Sequence, residues 1–281
     1  MGLFDRAPVV PVLRLAGAIG ISTPLNPGLS LASTAGPIER AFSFKKAPAV
    51  AIVVNSPGGS PVQSRLIYQR IRDKAQETGK RVYVFAEDVA ASGGYMIACA
   101  GDEIYADPSS IVGSIGVISA GFGLDEFIER YDIKRRVYTA GANKSMLDTF
   151  RPEDPEAVAR LQTILSDIHD VFTDLVKESR GDKLVGDPTE LFDGKVWVGE
   201  RAVENGLIDG LSDVRTKMRS LFGDKIKLKL IAKRRGLFSS LRPGMSANWE
   251  QGAGLSERAA TLPEQALAAL EEKALWSRFG L

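Results

Sequence analysis

Histidine and cysteine are almost missing from this chain, with one of each, His169 and Cys99, in 281 residues. A lone cysteine excludes a disulfide framework and a cysteine metal cluster. One histidine beside it gives no Cys/His metal site, so neither a metal nor another cofactor is expected. Excess charge is missing too: 36 Lys+Arg against 35 Asp+Glu leave a formal net charge of +1, and no argument for a nucleic-acid partner. There is also no long apolar run. The longest uncharged stretch, Leu15 to Ile38, is broken by Pro24, Pro27 and Pro37, so it reads as a loop-rich segment and not as a spanning helix. Met1 to Arg6 carries charge at once, and no apolar h-region follows it. The expected location is therefore the cytoplasm or the periphery of a membrane. What is present, 44% hydrophobic and 25% charged residues, suffices to bury a sizeable core.

Scarce histidine also restricts nucleophilic chemistry. A serine hydrolase normally passes its proton to an imidazole, so a serine nucleophile here needs another base, and lysine is the substitute. Ser92 lies in Asp88-Val-Ala-Ala-Ser-Gly-Gly-Tyr95, and Lys144 follows 52 positions later. Arg81 to Glu87 alternates like a strand, and Tyr95 to Ala100 reads as a short buried helix. The turn between them would bring the Ser92 hydroxyl to the first free amides of that helix, where a developing oxyanion is favoured. The plainer role for Ser92 is a helix N-cap. Upstream, Ala49 to Asn55 is a short β-branched run suited to a strand buried on both faces. It ends in Ser56-Pro-Gly-Gly59, before a helix with Ser60 as N-cap, Pro61 in its first turn and an apolar stripe of Val62, Leu66, Ile67 and Ile71. Gly58 and Gly59 allow a sharp turn with unobstructed amides.

Asn55-Ser-Pro-Gly-Gly59, Ala91-Ser-Gly-Gly-Tyr95, Gly113-Ser-Ile-Gly-Val117 and Lys144 together resemble the signal peptide peptidase A family, SppA/SohB-like serine/lysine proteases. The resemblance runs from about Val9 to about Leu230. It implies an α/β, Clp protease/crotonase-like fold of repeated strand-strand-helix units, here with a C-terminal helical tail. It further implies Ser92 as nucleophile, Lys144 as general base, Ser114 as the serine that orients the lysine, the Gly59 and Gly93 amides as oxyanion hole, and Gly58 as the residue shaping that turn. Around Lys144 the chain departs from the family pattern, with Asn143 before it and Ser145-Met-Leu-Asp148 after it. The implied activity is endopeptidase cleavage of apolar extended peptides such as signal peptide remnants. Half-length members of the family form octamer-like rings with active sites shared between subunits, which implies a homo-oligomer here. Two other classes stay open, a crotonase-like acyl-CoA enzyme and a catalytically silent oligomeric scaffold.

A lysine base must be neutral to work, which calls for an apolar pocket, and the uncharged stretch from Pro108 to Leu124 is the expected wall. The plain alternative for Lys144 is a solvated loop lysine. His169 falls beside the apolar stripe of a long helix from Pro155 to Arg180 (Val158, Leu161, Ile164, Leu165, Ile168, Phe172, Leu175, Val176) and reads as a surface histidine. Cys99 reads as a packed, inert thiol.

The remaining strands are expected at Val9 to Ala16, Glu103 to Ala106, Ile111 to Ser119, Lys134 to Thr139 and Lys225 to Ile231, with a helix from Leu124 to Tyr131. The domain organisation follows: 1–232 as the peptidase domain, 233–262 as a basic, Gly/Ser/Pro-rich linker, and 263–281 as a C-terminal amphipathic helix. That helix either packs on a neighbouring subunit or, with Trp276, Arg278 and Phe279, touches a membrane surface.

Overall fold

The apolar runs form the centre of one sheet. The computed structural model describes residues 7–21, 28–141, 143–231 and 262–281, with side chains of the last stretch from residue 266. The strands are β1 (Val9–Ala16), β2 (Ala49–Ser56), β3 (Arg81–Ala91), β4 (Glu103–Ala106), β5 (Ile111–Gly113), β6 (Val196–Val198), β7 (Gly210–Leu211) and β8 (Lys227–Leu230). The order is β6-β5-β3-β2-β1-β8, with β4 between β3 and β7, and every pairing is parallel except β5 with β6. This is the Clp protease/crotonase-like α/β fold. β3 is long enough to serve two neighbours: Tyr83 to Ala86 pair with β4, and Val89 to Ala91 pair with β5. The β2–β3 register shifts between Val54 and Ser56, an irregularity that falls where β3 passes from one of those partners to the other.

Alternation sends successive side chains to opposite faces, and both faces are covered. Leu13, Leu15, Val50, Ile52, Val54, Val82 and Val84 join the larger core with α1 (Leu31–Phe42), α2 (Pro61–Thr78) and α3 (Gly93–Ala98). Val10, Val12, Ala51, Val53, Tyr83, Phe85 and Tyr105 form the second core against Met218. The remaining helices are α4 (Asp125–Arg130), α5 (Pro155–Arg180), α6 (Pro188–Leu191), α7 (Gly199–Glu204), α8 (Val214–Phe222), which carries Met218, and α9 (Leu262–Ser277). Capping is local and sequence-driven. Ser60 caps α2 with Pro61 in its first turn, Gly79 closes it in the left-handed conformation, and Asp154 caps α5.

Some elements depart from expectation for identifiable reasons. The strand expected to reach Ser119 stops at Gly113, because Gly113 (φ +99°) and Ser114 (φ +50°) turn the chain out of the sheet. Lys134 to Thr139 pairs with no strand among the described residues and is largely exposed, so its alternation does not become β-structure. In α2 the buried positions are Ser64, Ile67, Ile71 and Ala75, while Val62 and Leu66 are exposed. In α5 the C-terminal half packs through Phe172, Leu175 and Val176, but Ile164 in the upstream half is 45% exposed. Of the linker, 233–261 lies outside the described residues, and α9 covers most of the expected C-terminal helix.

A buried polar network anchors the elements behind α3. The Arg180 side chain, 1% exposed, donates from Nε to the Gly206 carbonyl (2.9 Å) and from Nη1 to Asp209 (2.8 Å). Asp209 also accepts from the Ile104 amide (2.7 Å) and from Lys183 (2.7 Å), and Tyr95 donates to the Leu207 carbonyl (2.7 Å). Burial alone would raise the Asp209 carboxyl, but hydrogen bonds from Arg180, Lys183 and the Ile104 amide outweigh it and hold the group below its ordinary value. Its stabilising effect is therefore present above the unfolded-state carboxylate range and fades as pH falls through the lower folded value. Asp209→Ala should cost about 3 kcal/mol, because it strands a buried guanidinium. Urea denaturation checks this, and a loss under about 1 kcal/mol would mean that Arg180 finds other partners. Nearby Cys99 is buried, and burial pushes its thiol up to about 12, in keeping with an inert packed group.

Candidate active site

β2 and β3 end side by side, and the two glycine-rich turns that follow them meet. Ser92 leaves β3 with φ 53° and ψ −124°, a conformation that costs a non-glycine residue energy and must be held by its surroundings. What holds it is the Ser92 amide donating to the Gly113 carbonyl (2.8 Å) and the Ser92 carbonyl accepting from Met96 (3.0 Å). Ser92 stands at the N-cap position of α3, yet its side chain makes no capping hydrogen bond. The plain capping role is thereby set aside, and the half-buried hydroxyl opens to the cleft.

The glycines are required by close approach. A Cβ on Gly58 (φ +102°) would lie 2.7 Å from the Ser92 Cβ and 3.0 Å from the Gly93 nitrogen. A Cβ on Gly59 would run into the Ile19 carbonyl, one on Gly93 into the buried Ser64 hydroxyl, and one on Gly94 would come within 2.5 Å of the Ser56 carbonyl. Gly59 forms a parallel bridge with Ile19 in which the Ile19 amide donates to Gly58 (2.9 Å) and the Ser60 amide donates to Ile19 (2.8 Å). In that pattern Gly59 turns its own N–H away from Ile19. Neither the Gly59 nor the Gly93 amide donates to an acceptor among the described residues, and both residues line the same cleft as Ser92. Two unengaged amides and a hydroxyl in one place can hold a developing oxyanion beside an attacking oxygen.

The cleft has a volume of about 660 Å³. Ile19, Pro57, Met96, Val117, Ile168 and Phe172 give it apolar walls, and one face of α9 also borders it. Ser114 lines it too, held in a left-handed conformation (φ 50°) with its amide donating to the Lys195 carbonyl (2.7 Å). Ser92, Ser114, Gly59 and Gly93 are thus brought together, with Gly58 packed against Ser92.

Lys144 is not among them. It is exposed, in a shallow groove with Arg135, Thr139, Ser145 and Asp148. There the Phe150 amide, joined by Arg135, holds the Asp148 carboxyl below its ordinary value. The uncharged stretch expected to wall Lys144 instead walls the Ser92 cleft, through Ser114, Gly116, Val117, Ile118 and Ala120. His169 is half-buried and places Nε2 3.2 Å from the Ile115 carbonyl, so it supports the segment after Ser114 and is less exposed than its sequence position suggested. No lysine or histidine lines the cleft among the described residues.

Three contributors escaped the sequence reading. Ile19 supplies the backbone that orients Gly59, and it sits in a loop-like stretch with no periodic signal. Ser56 accepts from the Gly58 amide (3.3 Å), and Ser64, whose hydroxyl donates to the Ser60 carbonyl (2.8 Å), sits under Gly93. A serine on the buried face of α2 was the available clue to the last.

Comparison with known proteins bears on the family and the fold. Residues 74–225 match the family described as Peptidase family S49. A Brucella abortus protein named Na(+)/H(+) antiporter NhaA is 56% identical over 273 residues, covering 97% of this chain and 37% of its own length. The chain therefore spans little more than a third of that relative. No helix among the described residues is long and apolar enough to cross a membrane, and the antiporter name carries no reading of this chain. A Synechocystis protein named as a protease is 32% identical over 208 residues, 72% of this chain and 74% of that protein. Among solved structures, the 1510-N membrane-bound stomatin-specific protease in complex with a substrate peptide superposes with a TM-score of 0.50 at 17% identity, covering 81% of this chain and 93% of that one, a likeness of fold. On the S49 match and the protease relative, the chain belongs to peptidase family S49, the SppA/SohB-like serine peptidases.

Proposed function

We propose that the chain is a serine endopeptidase with a Ser/Lys dyad, cleaving apolar extended peptides such as signal peptide remnants or membrane-associated polypeptides. The observation that carries this is the strained Ser92 turn beside the two unengaged amides of Gly59 and Gly93 in an apolar cleft. Ser92 attacks the scissile carbonyl, the two amides hold the oxyanion, and Lys144 takes the hydroxyl proton and returns it to the leaving amine. Water then hydrolyses the acyl-enzyme. Ser114 orients the lysine amine.

Because Lys144 stands away from its own Ser92 cleft, the base comes from a second copy. Two features support this. The segment between β5 and α5 exposes large apolar side chains, Ile118 (65%), Phe122 (84%), Phe127 (54%), Tyr131 (62%) and Tyr138 (90%), beyond what an isolated surface normally carries. The upstream half of the α5 stripe is likewise only partly covered. An octamer-like ring would bury both and enclose the amine. Peripheral membrane contact would bring membrane-derived peptides to such a ring.

The test is to remix Ser92→Ala and Lys144→Ala proteins, each inactive alone. A shared site pairs the intact serine of one copy with the intact lysine of another and restores part of the hydrolysis. Inactivity in verified mixed oligomers would mean that each site is built within one chain. An amine base also acts only when unprotonated, so turnover should rise toward alkaline pH. An optimum near pH 5 would contradict it. Labelling of Ser92 by a fluorophosphonate separates this function from an acyl-CoA enzyme or a silent scaffold.

A further inference from the structure

Glu271, Ala274 and Leu275 of α9, with Arg278 and Phe279 in the turn that follows it, border the Ser92 cleft. Within the helix, Glu271, Ala274 and Leu275 are spaced i, i+3 and i+4, a single face, and Arg278 and Phe279 follow one turn on. The large apolar side chains are covered only toward the end of the segment. Leu275, Trp276 and Phe279 are half-buried, whereas Leu267 and Leu270, one turn before Glu271 and Ala274 on the same side, are 59% and 64% exposed. The apolar residues opposite, Ile19, Met96, Ile168 and Phe172, belong to the floor and walls of the cleft that holds Ser92, Gly59 and Gly93.

We propose that the Ser92 cleft is a docking surface for the end of the chain's own C-terminal helix and the turn after it, whose Leu275 and Phe279 compete with substrate for it. The docking stands on the shared lining and the helical spacing; the competition rests on the reading of Ser92 as nucleophile. A helix in this place obstructs the cleft but is a poor substrate. The segment is helical to Ser277 and turned after it, not extended, so it does not present a strand-like backbone to the Gly59 and Gly93 amides. An incoming peptide must first displace α9. The tether keeps the helix at high local concentration, so the apparent affinity for substrate falls in proportion to the fraction of time the cleft is open.

The full-length chain carrying Leu275→Asp and Phe279→Asp tests this against wild type, with Leu267→Asp as the variant on the same face outside the cleft. Amide hydrogen exchange is followed over 116–120 and 168–172, and fluorophosphonate labelling of Ser92 is timed. In the double variant the two segments should exchange faster and labelling should accelerate about tenfold, the factor for a cleft open about a tenth of the time in wild type. Leu267→Asp should behave as wild type. Unchanged exchange in the double variant overturns the docking, whatever labelling does. Faster exchange with unchanged labelling overturns the competition and leaves the docking. Faster exchange with no labelling of any form supports the docking and tells against Ser92 as nucleophile. Wild-type protection that disappears on dilution means that the helix comes from another copy, which overturns docking within one chain.

Discussion

Ser92→Ala should leave the fold intact and lower peptide hydrolysis by about 10⁴-fold or more, with Lys144→Ala falling comparably. The two losses have one cause. A serine hydroxyl is a weak nucleophile until a base takes its proton, so removing either partner stops the same step, and the residual rate comes from binding and the Gly59 and Gly93 amides alone. Neither side chain supports the core. Ser92 makes no capping bond and Lys144 is exposed, so thermal unfolding should stay close to wild type for both. His169→Ala is the contrasting case. It removes a hydrogen-bonding contact with the Ile115 carbonyl, worth about 1 kcal/mol, and should change turnover by less than about tenfold. A hundredfold loss in His169→Ala with the fold preserved would transfer the role of base to the histidine and end the Ser/Lys assignment.

How much of this was legible in the sequence depended on whether the signal was local. β1, β4 and α5 begin and end where they were expected, because short apolar runs and a long amphipathic stripe are signals carried by consecutive residues. The two glycine turns were legible for the same reason, since Gly58, Gly59 and Gly93 each admit a backbone or hydroxyl approach that forbids a Cβ. Tertiary facts were not. Lys134 to Thr139 alternates like a strand but finds no partner, and alternation alone cannot supply one. Val62 and Leu66 fit the helical stripe of α2, yet the core is met one position round the helix, through Ser64 and Ile67. A motif order could suggest that Lys144 acts with Ser92, but not that the two stand apart within one chain. Nor could spacing show that the uncharged stretch after Pro108 walls the serine's cleft instead of the lysine's.

Gly58→Ala should lower turnover by about 10² to 10³-fold while the protein remains folded. At φ +102° an L side chain is strained, and its Cβ would come 2.7 Å from the Ser92 Cβ and 3.0 Å from the Gly93 nitrogen. Something must shift, and the atoms nearest are backbone or the first side-chain carbon of the proposed nucleophile, none of which can swing aside as a flexible side-chain end can. The Ser92 turn and the Gly59 amide would therefore separate, and an oxyanion donor moved by a fraction of an ångström loses most of its effect on the transition state. The loss should fall on kcat more than on KM, because the apolar walls that bind the peptide are untouched. Gly79→Ala provides the control. Gly79 also has a positive φ (+63°), closing α2, but a Cβ there meets nothing within 4 Å. It should cost about 1 kcal/mol of stability and leave turnover unchanged. If Gly58→Ala were as active as Gly79→Ala, close packing of that turn against Ser92 would not be what sets the oxyanion geometry.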